Sequence, residues 1–319
     1  MGGMNVPPAP SADVMNVFDR GLVRRRRDRA AARFHEHDFL VREIADRLAD
    51  RLADVKRSFA TALDLGCHTG QMAEALRHCP DLRTLVQADL SPQMAGCASG
   101  LRVAADEEFL PFAAGRFDLI TSCLSLHWVN DLPGALVQIR HALKPDGLFL
   151  GAILGGDTLF ELRGSLMEAE LDATGGVSPR LSPVADLRDA GGLLQRAGFA
   201  LPVIDSDVLT VTYPDALALM RDLRGMGETN AVHVRPRAMA RRDVLVGAAA
   251  RYAARHAGPD GRISATFQVI YLTGWAPHQS QQRPLRPGSA GRRLADALGT
   301  SELPAGDKAA PRRGSEGPQ

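Results

Sequence analysis

Between residues 60 and 154, short apolar runs alternate with helical segments, and this alternation most narrows the folds open to the chain. Helical patterns at 70–78 and 133–142 separate the runs. A repeat of strand, helix and strand predicts a parallel sheet with helices on both faces. The strand-like runs lie at 60–65, 84–89, 101–105, 117–122 and 147–154.

The rest of the chain predicts additions around one α/β domain. Residues 1–14 read as a flexible N-terminus, and 15–55 as a helical cover rich in arginine. The domain itself is expected at 56–277, with helical insertions at about 155–180 and 214–258 and a returning β-rich run, "ISATFQVIYLTGW". From 278 to 319 proline, glycine, arginine and serine dominate, which is typical of a mostly disordered tail.

Charge and cysteine usage exclude several classes of protein. The net charge is +1, so no global field favours nucleic acid or a membrane surface. No apolar run approaches the roughly 20 residues of a spanning helix. The four cysteines, Cys67, Cys79, Cys97 and Cys123, show no zinc spacing and indicate reduced thiols. The first fifteen residues lack a hydrophobic signal core. We therefore expect a cytoplasmic protein, with contact to the inner membrane only through a partner.

The segment "ATALDLGCHTGQMAEAL" at 60–76 predicts a ligand loop between a strand and a helix. The helix presents free N–H groups and the positive end of its dipole to a ligand. Asp64, two residues before Gly66, would repel a pyrophosphate, so a cationic amine and sulfonium suit the loop better than a dinucleotide. His68 stands where a second glycine is expected before Gly70, and it fits if its φ is negative and its ring turns away from the ligand.

Further polar residues follow the next strands. Asp89 lies at the offset of about 20 residues that is typical of a ribose-binding acid, although it could instead cap the helix begun at Ser91. Asp106, followed by Glu107, could accept a hydrogen bond from an adenine amine or belong to a solvated turn. The fourth strand places 122–126 at the carboxyl edge of the sheet, where such folds bind ligands.

Together these motifs resemble the class I S-adenosylmethionine (SAM)-dependent methyltransferases over about residues 60–154. The resemblance implies a Rossmann-like α/β fold with a seven-stranded, mostly parallel sheet, and SAM as the cofactor. By the same resemblance, the residues expected to bind SAM are Asp64, Gly66, Cys67, His68, Gly70, Asp89, Leu90, Asp106, Glu107, Ser122 and Leu124.

Longer stretches narrow the resemblance. "FDRGLVRRRRDRAA", "LHWVNDLPGAL", "LGGDTLFELRGSL" and "YPDALALMRDLRGMGETN" are similar to the complex I assembly-factor branch of that family. Its mitochondrial members are described as arginine hydroxylases, so the resemblance implies a protein substrate, an iron–sulfur subunit of complex I. The related malonyl-acyl-carrier-protein O-methyltransferases of biotin synthesis provide an alternative with an acyl carrier protein as partner. A non-catalytic chaperone that binds SAM is a third hypothesis.

Position suggests the catalytic candidates. His127 and Trp128 follow the fourth strand and should face the reacting group, although Trp128 could equally pack in the core. Glu228 and Asn230 lie in the glycine-flanked loop "GMGETN". A carboxylate matches the fork of a guanidinium group, so Glu228 is a candidate contact for a substrate arginine.

A second set of candidates lies just beyond the fifth strand. Asp157 begins a predicted helix there with Thr158 and Glu161, near the expected mouth of the pocket. Asp157 could instead be the N-cap of this helix, because aspartate is a preferred capping residue.

No metal site is expected, since the sequence shows no convincing triad of two histidines and a carboxylate. His35 and His37 would not share a helical face, so they are interpreted as surface residues. The arginine cluster at 20–29 could suggest nucleic acid, but acids interrupt it at Asp19 and Asp28 and no aromatic residues are interleaved. A docking helix for an acidic partner protein, or a solvated helix over the pocket, is the better interpretation.

Overall fold

A computed structural model describes residues 16–183, 187–282, 289, 291–301 and 306. Seven strands form one sheet in the order β3-β2-β1-β4-β5-β7-β6. The first five strands run parallel, whereas β7 is antiparallel to both of its neighbours, β5 and β6. The predicted seven-stranded, mostly parallel α/β sheet is confirmed. The strands are β1 Thr61–Leu65, β2 Thr84–Asp89, β3 Leu101–Ala104, β4 Phe117–Cys123, β5 Leu143–Leu154, β6 Ala200–Tyr213 and β7 Ile263–Trp275.

Helices cover both faces of this sheet. A short 3₁₀ turn, Ala31–Glu36, follows the first helix, and another, Leu126–Trp128, follows β4. The α-helices described before residue 280 are α1 Arg20–Ala30, α2 Phe39–Ala53, α3 Gln71–Ala75, α4 Pro92–Cys97, α5 Leu132–Ala142, α6 Phe160–Thr174, α7 Leu187–Arg196, α8 Ala216–Gly225 and α9 Arg242–His256.

Local sequence explains several helix ends. Ser91 and Asp131 cap α4 and α5 by accepting backbone N–H bonds from Met94 and Gly134, and each is followed closely by a proline. The N-cap of α6 is Leu159 at a φ of 55°, so the interpretation of Asp157 as its cap is wrong. Gly175 ends that helix in the left-handed conformation, as its position after the apolar pattern predicts.

The core is divided between the two faces of the sheet. On one face α2, α6, α8 and α9 pack apolar side chains such as Ile44 and Leu219 against the strands. On the other, α5 and α7 contribute Ile139 and Leu194. Because both faces are covered, the inner strands are almost continuously apolar, as parallel sheets usually are.

The ends of the chain lie partly outside the described residues. The predicted flexible stretch 1–14 lies entirely outside them, and so does most of the predicted disordered tail. Within that tail the structure describes a short helix, α10 Leu294–Leu298, which the sequence did not suggest. Of the helices in the described ranges, none combines the length and apolar character needed to cross a membrane.

Candidate functional site

Strand β1 carries a buried carboxylate next to its last residue, at the carboxyl edge of the sheet. Asp64 is fully buried, its Oδ1 accepts a hydrogen bond from Thr121 Oγ1 at 3.3 Å, and its Oδ2 has no partner within the described residues. Burial, helped by the nearby Asp89, raises the pKa of Asp64 to about 7 against the lowering effect of Thr121. A cationic ligand beside this carboxyl group would stabilise its ionised form, which burial otherwise disfavours.

Glycine is required in the turn after β1 at two positions. Gly66 has a φ of 76° and Gly70 a φ of 105°. A Cβ atom on Gly66 would lie 2.1 Å from the Cβ atom of Ser125, so no other residue fits without displacing the end of β4. Cys67 between them is buried, and burial raises the pKa of its thiol.

His68 adopts a conformation that we did not expect. Its φ is +49°, so the expectation of a negative φ is wrong. The ring stacks on Phe34 with centroids 5.4 Å apart, and Nε2 lies 2.9 Å from the carbonyl oxygen of Cys123. Burial and the nearby Arg27 lower the pKa of His68. The histidine is thus neutral at physiological pH and holds the turn against β4 while its Nδ1 remains unpartnered within the described residues.

Asp89 ends β2 as predicted and binds backbone rather than capping the next helix. Its Oδ2 accepts from the backbone N–H of His68 at 3.0 Å, and its Oδ1 accepts from that of Ser91 at 2.8 Å. The helix cap is Ser91, so the capping alternative for Asp89 is wrong. Leu90, the next residue, packs half-buried against a small cluster that contains Trp128.

Two arginines of α1 reach into this carboxylate cluster. Arg27 is 1% exposed, and its Nη1 lies 3.2 Å from Glu107 Oε1 and 3.5 Å from Asp89 Oδ1. Arg20 pairs with Asp106 at 2.6 Å and also with Glu107. The interpretation of α1 as a merely solvated or docking helix is therefore wrong for these two side chains.

Glu107 is the central acid of this network. Its carboxylate is fully buried and also accepts a hydrogen bond from Ser125 Oγ at 2.5 Å. Burial opposes its ionisation, but Arg20 and Arg27 lower the pKa of Glu107 to about 2. Burial lowers the pKa of Arg27, but Asp89, Glu107 and Glu228 together raise it above its ordinary value. The solvated-turn alternative is thus wrong for Glu107, whereas Asp106 stays partly exposed.

The end of β4 supplies two more of the predicted residues. Ser122 is buried and its Oγ has no hydrogen-bond partner in the described part of the chain. Leu124 has a φ of 47° and lines a small cavity together with His68. Both lie beside Asp64 at the carboxyl edge, because β4 pairs with β1 through Thr121 and Asp64.

The predicted catalytic residues from two distant loops meet in that cavity. Trp128 Nε1 donates to Glu228 at 3.0 Å, and His127 Nε2 lies 3.1 Å from Glu228 Oε2. Burial raises the pKa of Glu228, but His127, Trp128 and Arg27 together lower it below its ordinary value. Asn230 lines the same cavity, and its Nδ2 donates to the carbonyl oxygen of Pro179 at 2.7 Å. The cavity measures about 60 Å³.

The structure does not bring Asp157 or Glu161 to this cavity. The Asp157 side chain is exposed, whereas the backbone N–H of this residue donates to Gln268 Oε1 at 3.0 Å and its carbonyl oxygen accepts from the backbone N–H of Phe160 at 3.4 Å. Glu161 is buried but accepts from Thr266 Oγ1 at 2.5 Å, which anchors α6 to β7. Thr158 alone of the three lines the cavity. Asp157 thus lies apart from the other predicted catalytic residues.

His37 also differs from its expected place. His35 is exposed as predicted, but His37 is half-buried and its Nδ1 lies 2.6 Å from Asp222 Oδ1. Within the described ranges no three side chains of His, Cys, Asp or Glu cluster closely enough to hold a metal ion.

Sequence reasoning missed Arg20, Arg27 and Ser125. A signal for the two arginines was present, because Arg20, Val23, Arg27 and Ala30 follow each other at spacings of three and four and so share one helical face. That face contains the buried residues of α1, Val23, Arg27 and Ala30. No sequence signal distinguished Ser125 from its neighbours.

The donor set at the carboxyl edge fits SAM. Asp64, with its unpartnered oxygen, suits the cationic amine, and the Asp89 carboxylate stands where a ribose is held in folds of this topology. The guanidinium group of Arg27 touches Asp89 as well. If Asp89 binds a ribose, the Arg27 side chain therefore either moves away from Asp89 or itself contacts the ligand.

Comparisons with known proteins show which family and which relatives the chain resembles. A family model described as "Methyltransferase domain" matches residues 34–202. The "Arginine-hydroxylase NDUFAF5, mitochondrial" of Danio rerio is 45% identical over 88% of this chain and 89% of its own length. The human protein of the same name is 45% identical over 90% of this chain and 85% of its own.

More distant proteins extend the comparison. The malonyl-[acyl-carrier protein] O-methyltransferase of a Methylovorus strain is 35% identical over 82% of this chain and 90% of its own length. Among solved structures, the YcgJ protein of Bacillus subtilis superimposes with a TM-score of 0.51 at 17% identity, covering 73% of this chain and 98% of that one. This structural likeness shows the fold.

Proposed function

The chain belongs to the SAM-dependent methyltransferase superfamily, with SAM as its cofactor, and from this membership we propose that it modifies an arginine side chain of a protein. Its similarity to proteins named arginine hydroxylases supports hydroxylation as the modification. This step would take one oxygen atom from dioxygen and two electrons from a reductant, with water as the second product, because the sulfonium of SAM supplies neither. The resemblance to complex I assembly factors supports an iron–sulfur subunit of complex I as the substrate.

The observation that carries this proposal is the position of Glu228. Its carboxylate lies in a cavity with His127, Trp128 and His68, and His68 belongs to the turn that follows β1. An ionised carboxylate in a mostly apolar cavity has a strong preference for a cationic, forked partner. A substrate guanidinium is such a partner.

One group of residues would bind SAM and another would bind the substrate. Asp64 and Asp89 would hold the amine and the ribose of SAM, which supplies an activated sulfonium centre when bound. Glu228 would orient the substrate guanidinium, and the hydrogen bond from Trp128 fixes the carboxylate that receives it. Leu124, Leu159 and Phe267 line the same cavity and exclude water from the reacting groups.

Mass spectrometry of the complex I iron–sulfur subunit, from cells with and without this gene, tests the proposal. We expect a gene-dependent gain of about 16 Da on one arginine, the mass of an added oxygen atom; a gain of about 14 Da would instead mark methylation. Complementation with Asp89→Asn should abolish the modification, while Asp46→Asn, at an exposed position on α2, should restore it. An unmodified arginine in both strains would refute the proposal.

The malonyl-carrier alternative has less support from this cavity. Ester formation on an acyl carrier requires a deep apolar pocket for the acyl chain. The cavity at Glu228 is mostly apolar but measures only about 60 Å³, so an acyl chain would have to extend into the adjoining cavity of about 850 Å³, which Glu228 also lines. The chaperone alternative is tested by the same cells, because it requires Asp89→Asn to leave complex I assembly intact.

A further inference from the structure

A second cavity, of about 550 Å³, lies between α1 and α8 and is walled mainly by arginines. Its guanidinium groups come from both helices, and its floor includes Ala30, Gly225 and Thr229. We call it the arginine cavity. The five arginines that line it are Arg26, Arg29, Arg33, Arg221 and Arg224.

Four of these five arginines have no carboxylate partner within the described residues. Arg26 donates to the carbonyl oxygen of Thr229 at 2.6 Å, and Arg221 donates to that of Leu217 at 3.3 Å. Arg29 and Arg224 are exposed and form no ion pair in that part of the chain. Only Arg33 is paired, with Glu36.

Within the described residues, the arginine cavity brings together four arginines that have no ion pair, whereas several arginines elsewhere are paired. Surface arginines on other elements pair closely with acids: Arg47 with Glu43, Arg241 with Asp243 and Arg255 with Glu168. The nearest acid of α8, Asp222, is already engaged by His37 and by the Tyr213 hydroxyl. Burial together with Arg235, Arg29 and Arg224 lowers the pKa of Arg26 to about 10, as expected where like charges repel one another.

The arginine cavity continues toward the candidate catalytic residues. Arg26, Arg224 and Thr229 also line a neighbouring cavity of about 850 Å³, which extends to Glu228 and Asn230. Arg25 and Arg237 add further positive charge to this neighbouring cavity. Its wall also contains Arg180 and Arg235, which are paired with Glu170 and Asp19. The apolar part of the wall is formed by Leu162, Leu166, Leu181, Met220, Leu223 and Leu245. An extended ligand could therefore contact the arginines at one end and Glu228 at the other.

We propose that the arginine cavity binds a carboxylate-rich segment of the protein substrate, next to the arginine that Glu228 receives. This proposal rests on the proposed function, since it assumes a protein substrate. Guanidinium forks match carboxylates in bidentate geometry, and the apolar wall suits the side chains of an extended peptide. Single-stranded nucleic acid is disfavoured because, among the described residues, neither cavity is lined by a Phe, Tyr or Trp side chain on which a base could stack.

A fluorescent peptide that carries one arginine beside a run of aspartates and glutamates tests the proposal on the full chain. Its affinity is compared with that of a matched peptide with asparagines and glutamines, and with that of a single-stranded oligonucleotide. We expect the acidic peptide to bind about tenfold or more tightly than the neutral one, the equivalent of one charged contact. Equal affinity, or tighter binding of the oligonucleotide, would overturn the proposal.

A charge-reversal pair locates the binding. Arg29→Glu with Arg224→Glu should remove the preference for the acidic peptide. Arg77→Glu with Arg83→Glu, which makes the same change in net charge at exposed positions near β2, should retain it. If both pairs of substitutions reduced the preference for the acidic peptide equally, the preference would come from long-range charge, and the arginine cavity would not be the binding site. SAM binding is measured in parallel to separate the two proposals. A protein that does not bind SAM would count against the proposed function. The peptide affinities test the arginine cavity independently of that result.

Discussion

Arg27 on α1 places its Nη1 3.2 Å from Glu107 Oε1, so that a helix of the N-terminal cover neutralises an acid of the sheet's carboxyl edge. Both side chains are almost completely buried. The contact links the cover to the loop after β3, across 80 positions of sequence. The cover is therefore part of the candidate cofactor site and not merely a layer over it.

Replacing Arg27 tests how much this contact contributes to the free energy of unfolding. Arg27→Met leaves Glu107 and Asp89 with fewer compensating charges in a buried environment, so we expect a loss of about 3 to 5 kcal/mol in the free energy of unfolding. Arg24→Met, one turn away on an exposed face, should change it by less than about 0.5 kcal/mol. Urea unfolding measures both, and similar losses in the two variants would contradict the structural role.

Asp64 should make the stability of the ligand-free protein depend on pH. Its folded-state pKa of about 7 exceeds the ordinary value of 3.8, so the native state holds the proton more tightly than the unfolded state. The stability from that proton is present below pH 3.8 and is lost as the pH rises toward 7, by roughly 3 to 4 kcal/mol.

Asp64→Asn removes this titration. The variant should become progressively more stable than the parent between about pH 4 and pH 8 by about the same amount, while losing SAM affinity. Asp46→Asn, at an exposed position, should follow the parent curve. Denaturation at a series of pH values measures the difference, and a constant offset between Asp64→Asn and the parent would exclude the raised pKa.

Gly66 should tolerate no side chain. Gly66→Ala places a Cβ atom 2.1 Å from Ser125 Cβ at a φ of 76°, and the strain and collision together should cost about 2 to 4 kcal/mol. Gly164→Ala is the matched control, because nothing lies within 4 Å of the added atom in the middle of α6. That change should stabilise the protein by up to about 1 kcal/mol. Thermal unfolding of the two variants should shift in opposite directions.

Glu228→Gln tests recognition of the substrate arginine apart from the fold. The amide keeps the shape of the side chain but loses the charge that a guanidinium would pair with. We expect the affinity for an arginine-containing peptide to fall about tenfold or more, with SAM affinity unchanged within about twofold. Glu168→Gln, at a partly exposed position on α6, serves as the control. If the peptide bound the Glu228→Gln variant and the parent equally, Glu228 would not be the arginine contact.

The sheet could be predicted because its determinants are local. The apolar runs ended in Asp64 and Asp89, and in a parallel sheet the carboxyl ends of neighbouring strands must meet. The φ of His68 could not be predicted, because it depends on Phe34 stacking from another element and on the carbonyl of Cys123. Asp157 had the right residue type for a cap, but the cap of α6 is Leu159, two residues later.

The contact of Glu228 with His127 and Trp128 joins positions 101 and 100 residues apart. The sequence suggested each loop separately, but it carried no information on their distance, since that depends on how α8 and α9 pack. The inward direction of Arg27 was harder still to predict. An arginine-rich helix usually faces water, and only the three-and-four spacing of its buried positions distinguished the exception.

The N-terminal cover is completed by a part of the chain that is made much later. Arg26 donates to the carbonyl oxygen of Thr229, 203 positions further on, and the backbone of Asp19 donates to Ala231 at 2.8 Å. A ribosome adding about 5 to 20 residues per second needs roughly 10 to 40 s to synthesise that interval. Throughout this time β1 to β5 emerge and can pair, whereas α1 has no C-terminal partner to dock against. The neutralising arginines of α1 are thus made before the carboxylates they pair with, but α1 gains its contacts with Thr229 and Ala231 only after most of the sheet has been synthesised.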